Sequence, residues 1–171
     1  MANMRASAWE GDHSTQPNGG AGVADIVLTQ AEADALMAMP KRQSDDEWRD
    51  YPVLGGAVSV PLVSMDRREA FVLDIHRGHI DMVKGTYQNR ARRAIVLARL
   101  DFGAQSHRNP DGEEVGCPHL HVYREGHGDK WAVALSEEAF SDPDDRWALL
   151  QDFVRYCSII EAPLIRRRLF V

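Results

Sequence analysis

The sequence predicts an α+β domain: an antiparallel sheet of about five or six strands, with a short helix before it and a helix packed on it afterwards. Three observations predict this class. Runs of alternating apolar and polar residues recur between residues 57 and 135. Gly, Pro, Asn and Asp separate the runs, as turns require. Apolar residues at helical spacing occur on either side of that region.

The elements follow in order. Residues 1–24 are rich in Gly, Ser, Asn and Ala without periodicity and read as a disordered tail, which leaves 25–171 as a single domain. Thr29 followed by Glu32 has capping-box spacing, with Ala33, Leu36 and Met37 as an apolar stripe and Pro40 as the stop. The segment KRQSDDEWRDYP reads as a polar connection with one helical turn around Trp48. AVSVPLVSM (57–65) is strand-like, and Pro61 places it at an edge or a bulge. EAFVLDIHR (69–77) alternates, with Phe71, Leu73 and Ile75 on one face and Val72, Asp74 and His76 on the other. Gly78 allows a turn. RRAIVLARLDF (92–102) is the most apolar run and reads as the central strand. PHLHVYRE (118–125) and KWAVAL (130–135) form a hairpin through Gly126-His127-Gly128. Asp142-Pro143-Asp144 starts a helix, with Trp147, Leu150, Phe153, Val154 and Cys157 at helical spacing to about Ile159. PLIRRRLFV closes the chain as a strand or an arm.

A chain of 171 residues suits one domain with a core of its own. Hydrophobic content of 44% and charged content of 27% are ordinary for a globular protein. No apolar run approaches the roughly 18–20 residues that cross a bilayer, so no membrane partner is expected. The N-terminus lacks the apolar stretch of a secretory signal, and the expected location is the cytoplasm. Cys117 and Cys157 are too few for a disulfide framework or a cysteine-rich zinc site. The net charge of −6 argues against indiscriminate nucleic-acid binding. Between His76 and Arg99, however, Arg77, Lys84, Arg90, Arg92, Arg93 and Arg99 face one acid, Asp81. Either that window forms an anion-binding face, or its arginines pair with acids elsewhere on a solvated sheet face.

Reactive chemistry concentrates in His107–Trp131, HRNPDGEEVGCPHLHVYREGHGDKW. Alternation along 118–125 puts His119, His121, Tyr123 and Glu125 on one face, aiming two imidazoles at one point. Asn109-Pro110-Asp111-Gly112 is a turn, and it folds His107 back toward His119 and His121 if strands 92–102 and 118–125 are neighbours. Asp111 and Glu113 would then share the same mouth. Such a group could bind a divalent ion, the one cofactor the sequence suggests. It could equally perform acid–base work without metal, beside a cation that stabilises developing negative charge. In the bland reading, one histidine is half-buried against Tyr123 and the other is solvated. His119-x-His121-x-x-x-Glu125 is similar to the first metal-binding motif of cupins, although the flanking glycines fall at other offsets and no second motif follows. Cys117 as a nucleophile fits poorly, because a base two residues along a strand lies out of reach.

Lys84-Gly-Thr-Tyr-Gln-Asn-Arg90 is a second candidate patch. Arg77, Lys84 and Arg90 suit phosphate, Tyr87 suits base stacking and Gln88 suits base edges, a toolkit for single-stranded RNA. As a structural element alone, the segment would be a loop between strands. The chain contains no Walker loop, GxGxxG, HExxH or GxSxG, which removes the common NTPase, dinucleotide, zincin and α/β-hydrolase readings.

The strings LDIHRGHIDMVKGTYQNRARR, LARLDFGAQSHRNPDG and PHLHVYREGHGDKWA resemble an uncharacterised family of small bacterial proteins, a domain of unknown function, from about Phe71 to Leu164. The resemblance implies no activity. A compact β-rich body with a His-rich strand is also similar in style to small toxin-like proteins of toxin–antitoxin and mobile-element loci. The reading that uses both the basic window and the histidine cluster, and so the expected function, is a small nucleic-acid-directed hydrolase, an RNase of toxin type. Its catalytic or metal-binding residues would be His107, His119 and His121, with Glu125 beside them. RNA and an antitoxin or other protein would be its partners. The alternatives are a non-catalytic interaction or inhibitor protein, from a mobile element or phage, whose acidic body binds a basic partner, and a cupin-like metal-binding protein.

Overall fold

The first helix forms as its capping pattern dictates. In the computed structural model, which describes residues 27–79 and 83–167, α1 spans Gln30–Ala38. The Thr29 hydroxyl accepts from the Glu32 amide while the Glu32 carboxylate accepts from the Thr29 amide. The expected tail at 1–24 lies outside the described residues. After Pro40 the chain forms β1 (Lys41–Gln43) and β2 (Arg49–Asp50) in place of the expected polar connection with a helical turn. The long strands are β3 (Ala57–Ser64), β4 (Ala70–Arg77), β5 (Gly85–Ala91) and β6 (Ile95–Phe102). A two-strand ribbon, β7 (His107–Arg108) and β8 (Glu114–Val115), leads to the hairpin of β9 (His119–Arg124) and β10 (Gly128–Ala134). Helix α2 (Arg146–Tyr156), capped by Asp145, and the short β11 (Ile165–Arg166) complete the described chain. None of the described helices is long and apolar enough to cross a membrane.

Seven strands make one antiparallel sheet in the order β1-β3-β4-β5-β6-β9-β10, more than the five or six expected. The two additional contributors are β1, short and hidden in a polar stretch, and β5. The latter is Gly85–Ala91, read from sequence as a loop because its polar side chains mask the alternation. It occupies the middle of the sheet, displacing β6 from the central place predicted for it. β1 pairs with Leu62, Val63 and Ser64, and one residue further the Ser44 amide donates to the Pro61 carbonyl at 3.0 Å; Pro61 has no N–H to return the bond, and the ladder ends there. The short β11 pairs in parallel with β2.

Strand register assigns the two faces. Ile75, Tyr87, Leu100 and Leu120 lie in one cross-strand row and are buried. Together with Val60, Leu73 and Ala98 they form the face on which Leu28, Ala33 and Leu36 from the α1 region and Leu149, Leu150 and Phe153 from α2 pack. On the opposite face one row holds Ser59, Asp74, Gln88, Arg99 and His121, and the next holds His76, Thr86, Asp101 and His119. The apolar face builds the core, and the polar face is left to carry chemistry.

The ends of both helices meet at Lys41, which is fully buried. Its ammonium donates to the carbonyls of Met37 in the last turn of α1, of Met39 just after it and of Cys157 at the end of α2, at 2.8, 2.8 and 2.9 Å. These are groups that a helix C-terminus leaves unpaired, and a cation suits their dipole. Burial pulls the Lys41 amine down to about 8. Lys41→Met would leave three carbonyls without a donor. The expected outcome is a loss of about 3 kcal/mol in urea unfolding with an unchanged m-value.

Candidate metal centre

The polar face reaches the His-rich strand through β6. Pairing of β6 with β9 sets Arg99 beside His121 and Asp101 beside His119. His119 and His121 project from the same side of β9, as period-2 alternation requires, and are buried at 3% and 1% exposure. Because β6 and β9 are neighbours, the ribbon between them folds back and delivers His107 to the same place. The Asn109–Gly112 turn closes that ribbon, with the Gly112 amide donating to the Asn109 carbonyl. One nitrogen of each of the three rings lies within 4.8 Å of the others. Ring centroids stand 4.5 Å apart for His107–His121, 5.0 Å for His119–His121 and 5.7 Å for His107–His119.

Main-chain carbonyls orient the rings. The register of β10 slips between Gly128 and Trp131, leaving Asp129 and Lys130 as a bulge without ladder partners in β9. Their carbonyls turn to the imidazoles instead. His121 Nδ1 contacts the Asp129 carbonyl at 2.9 Å and His107 Nε2 contacts that of Lys130 at 3.0 Å. His119 Nδ1 contacts the Gly116 carbonyl at 3.1 Å. A carbonyl only accepts, so each of these nitrogens carries the proton. In a neutral ring the other nitrogen then keeps its lone pair, which is Nε2 for both His119 and His121.

A carboxylate lies against two of the three rings. Asp101 Oδ2 lies 3.3 Å from His121 Nε2 and 3.9 Å from His119 Nε2. Thr86 donates to Oδ1 at 2.9 Å and Arg99 Nε to Oδ2 at 3.2 Å. Arg99 also pairs with Asp129, the residue whose carbonyl holds His121. Burial pushes the Asp101 carboxyl up, but His121, Arg99 and Thr86 together outweigh it and bring it down to about 2. Burial lowers His119 below the usual imidazole range, aided by the charges of His121 and His107 and opposed by the Gly116 carbonyl and Asp101. A neutral ring is the form a metal requires.

Asn109 ties the ribbon to the sheet. Its Nδ2 donates to the Ala132 carbonyl at 2.9 Å, and its Oδ1 accepts from the Ala132 amide at 2.8 Å. One buried side chain thus gives edge strand β10 the pair of bonds that another strand would supply.

The remaining expected site residues are dispersed. Glu125 does not join the histidines. β9 pairs with β6 only as far as Val122, and beyond that point the chain turns to α1. There the Glu125 carboxylate accepts from the Gln30 amide at 2.9 Å, and the Tyr123 hydroxyl bonds the amide and the carbonyl of Leu28. Tyr87 is fully buried on the apolar face, bonded to the Tyr51 hydroxyl and the Arg146 carbonyl, and offers no ring face to a base. Arg77 contacts the Pro52 carbonyl and the Tyr51 ring. Gln88 and Arg90 lie on the polar face, where Arg90 grips Asp74 through Nε at 2.6 Å and Gln88 reaches the same carboxylate at 3.5 Å. Lys84 is exposed. These five therefore do not assemble into one patch. Arg90, Arg92 and Arg99 pair with Asp74, Glu69 and Asp101, which is the solvated-face alternative for the basic window. Asp111 accepts from the Glu113 amide within the turn, and both residues are exposed. Cys117 accepts from the Ala104 amide at 3.2 Å.

Sequence reasoning missed Asp101, Thr86, Asn109 and the bulge at Asp129. A signal for Asp101 was present. In LARLDF, Arg99 and Asp101 stand two apart within an otherwise apolar run, so both face one side of the sheet.

Residues 28–159 match the family described as a family of unknown function, DUF6978. The chain belongs to it. No curated protein and no solved structure shows significant similarity to the sequence. The family match extends the resemblance read from residues 71–164 back to the start of α1, and it carries no activity.

Two outcomes follow from the site. Asn109→Ala removes both bonds to Ala132, so the Ala132 amide should lose hydrogen-exchange protection and the protein about 2 kcal/mol of stability. Asp101 is more acidic folded than its ordinary 3.8, so it stabilises the fold above about pH 4 and loses that contribution as pH falls through about 2. Urea midpoints measured across that range should fall more steeply for the metal-free wild type than for Asp101→Asn.

Proposed function

We propose that this protein binds one divalent transition-metal ion through His107, His119 and His121 and uses it to hydrolyse its substrate. One observation carries the reading: three imidazoles, each with one nitrogen at a main-chain carbonyl, bring one ring nitrogen apiece within 4.8 Å of one another. Orientation of this kind is the usual outer support of a metal-ligating histidine. Imidazole donors suit zinc, iron, nickel and copper. Neutral ligands leave the ion its full charge, which acidifies a bound water and prepares it as a nucleophile. His107 is half-buried rather than enclosed, so solvent and substrate have a side from which to approach.

Nucleic acid is the substrate class favoured by the basic window, whose exposed cations include Lys84 and Arg93. The pairing of Arg90, Arg92 and Arg99 weakens that choice, and the burial of Tyr87 removes the stacking ring. A second reading has its own observation. With no ion bound, His121 can hold both the Asp129 carbonyl and Asp101 only as an imidazolium. An imidazolium–carboxylate pair of that kind is a general acid–base device.

The test is calorimetric titration of untagged protein with Zn²⁺ and Mn²⁺, followed by assays on single-stranded RNA and DNA. One ion per chain is expected. His119→Ala and His121→Ala should each lose roughly a hundredfold or more in affinity while retaining the wild-type circular dichroism spectrum. Cleavage should stop with chelator and return with metal. Cleavage indifferent to chelator would favour the acid–base pair, and a protein that takes up no ion would end the metal reading.

A further inference from the structure

Asp101 faces a problem of matching charge. Its Oδ2 approaches His121 Nε2 at 3.3 Å and His119 Nε2 at 3.9 Å. Both rings use Nδ1 as the donor to a carbonyl. In their neutral forms, therefore, two lone pairs and a carboxylate oxygen face one another. Groups that all accept repel one another unless a cation, or a proton on one of the rings, lies among them. For the Asp101–His121 pair the spacing is also suited to a cation. Ligands about 2.0–2.1 Å from a tetrahedral ion stand about 3.3–3.4 Å apart, close to the Asp101–His121 separation.

The carboxylate is held for such a role. Thr86 bonds Oδ1 at 2.9 Å, and Arg99 bonds Oδ2 at 3.2 Å. Register makes Thr86, Asp101 and His119 successive neighbours across β5, β6 and β9, so the sheet itself fixes their order. A ligating carboxylate is typically fixed by hydrogen bonds of this kind.

We propose that Asp101 is the fourth protein ligand of the ion, giving a shell of three imidazole nitrogens and one carboxylate oxygen. This rests on the metal reading above. The carboxylate makes the donor set harder and places a negative charge beside the ion, which favours divalent zinc, iron or manganese over monovalent copper. Four protein donors leave water the positions beyond the fourth. The hydrolytic form of the centre is therefore an ion that accepts five or six ligands, of the manganese or ferrous class.

The experiment is an anomalous-scattering crystal structure of the full chain loaded with Mn²⁺ or Zn²⁺, beside ion affinities of wild type, Asp101→Asn and Asp101→Ala. The expected result is one ion with Asp101 Oδ2 at about 2.0–2.2 Å and all three histidines bound. Both variants should lose more than roughly a hundredfold in affinity, beyond the range for an outer-shell group. An ion on the three histidines with the carboxylate beyond about 3 Å, or an Asp101→Asn variant of wild-type affinity, overturns the fourth-ligand assignment and leaves the three-histidine centre standing. Absence of any ion from wild-type protein defeats the metal reading itself.

Discussion

Three main-chain carbonyls, those of Gly116, Asp129 and Lys130, each accept a hydrogen bond from one imidazole, and the arrangement of the centre depends on them. Without those acceptors, three adjacent histidines would rotate to separate partners and present N–H groups and lone pairs at random. With them, each ring has a fixed donor end and a fixed acceptor end. Two of the carbonyls are free to do this because β10 bulges where it follows the hairpin turn. A regular ladder there would have paired the backbone with β9. The bulge therefore does more than bend a strand: it converts ladder acceptors into supports for side chains.

The polar face of the sheet is the second requirement. Burying histidines and carboxylates is costly unless each polar atom has a partner. Asp101 has Thr86, Arg99 and His121, and Asp74 has Ser59, Gln88 and Arg90. The arginines of the basic window supply most of the positive charge in these networks. Their use within the sheet explains how much of a locally basic segment's charge is neutralised in an acidic chain. Asn109 and Lys41 do comparable work at the edges, one closing β10 and the other joining the carbonyl ends of two helices.

Much of this was legible in the residues. The Thr29–Glu32 box, the alternation of β4 and the Gly126–Gly128 hairpin are local patterns, and local sterics and hydrogen bonding decide them; the helix start read at Asp142-Pro143-Asp144 falls just ahead of the actual N-cap, Asp145. The prediction that His107 folds back onto His119 and His121 also held, because it needed only that β6 and β9 be neighbours. β5 was not legible. Its Thr86, Gln88 and Arg90 face a polar surface, and Asn89 is buried on the apolar one, so the strand lacks the contrast that reveals alternation. Trp48 suggested a helical turn, yet that stretch is drawn into strands by partners at Leu62–Ser64 and Ile165–Arg166, far along the chain. Glu125 followed the correct period in principle, but β9 ends at Arg124 and its pairing with β6 at Val122, so no strand holds Glu125 on the histidine face.

By itself the sequence determined the α+β class, the identities of the three histidines and their placement on one strand and one returning turn. Those follow from periodicity and turn chemistry, which act over a few residues. Only the tertiary structure decided that Asp101 faces the rings, that a bulge eight residues beyond His121 orients it, and that Tyr87 belongs to the core rather than to a binding surface. Each of these depends on which strands lie side by side and in what register, and register is set by the packing of the whole sheet rather than by any one stretch of chain.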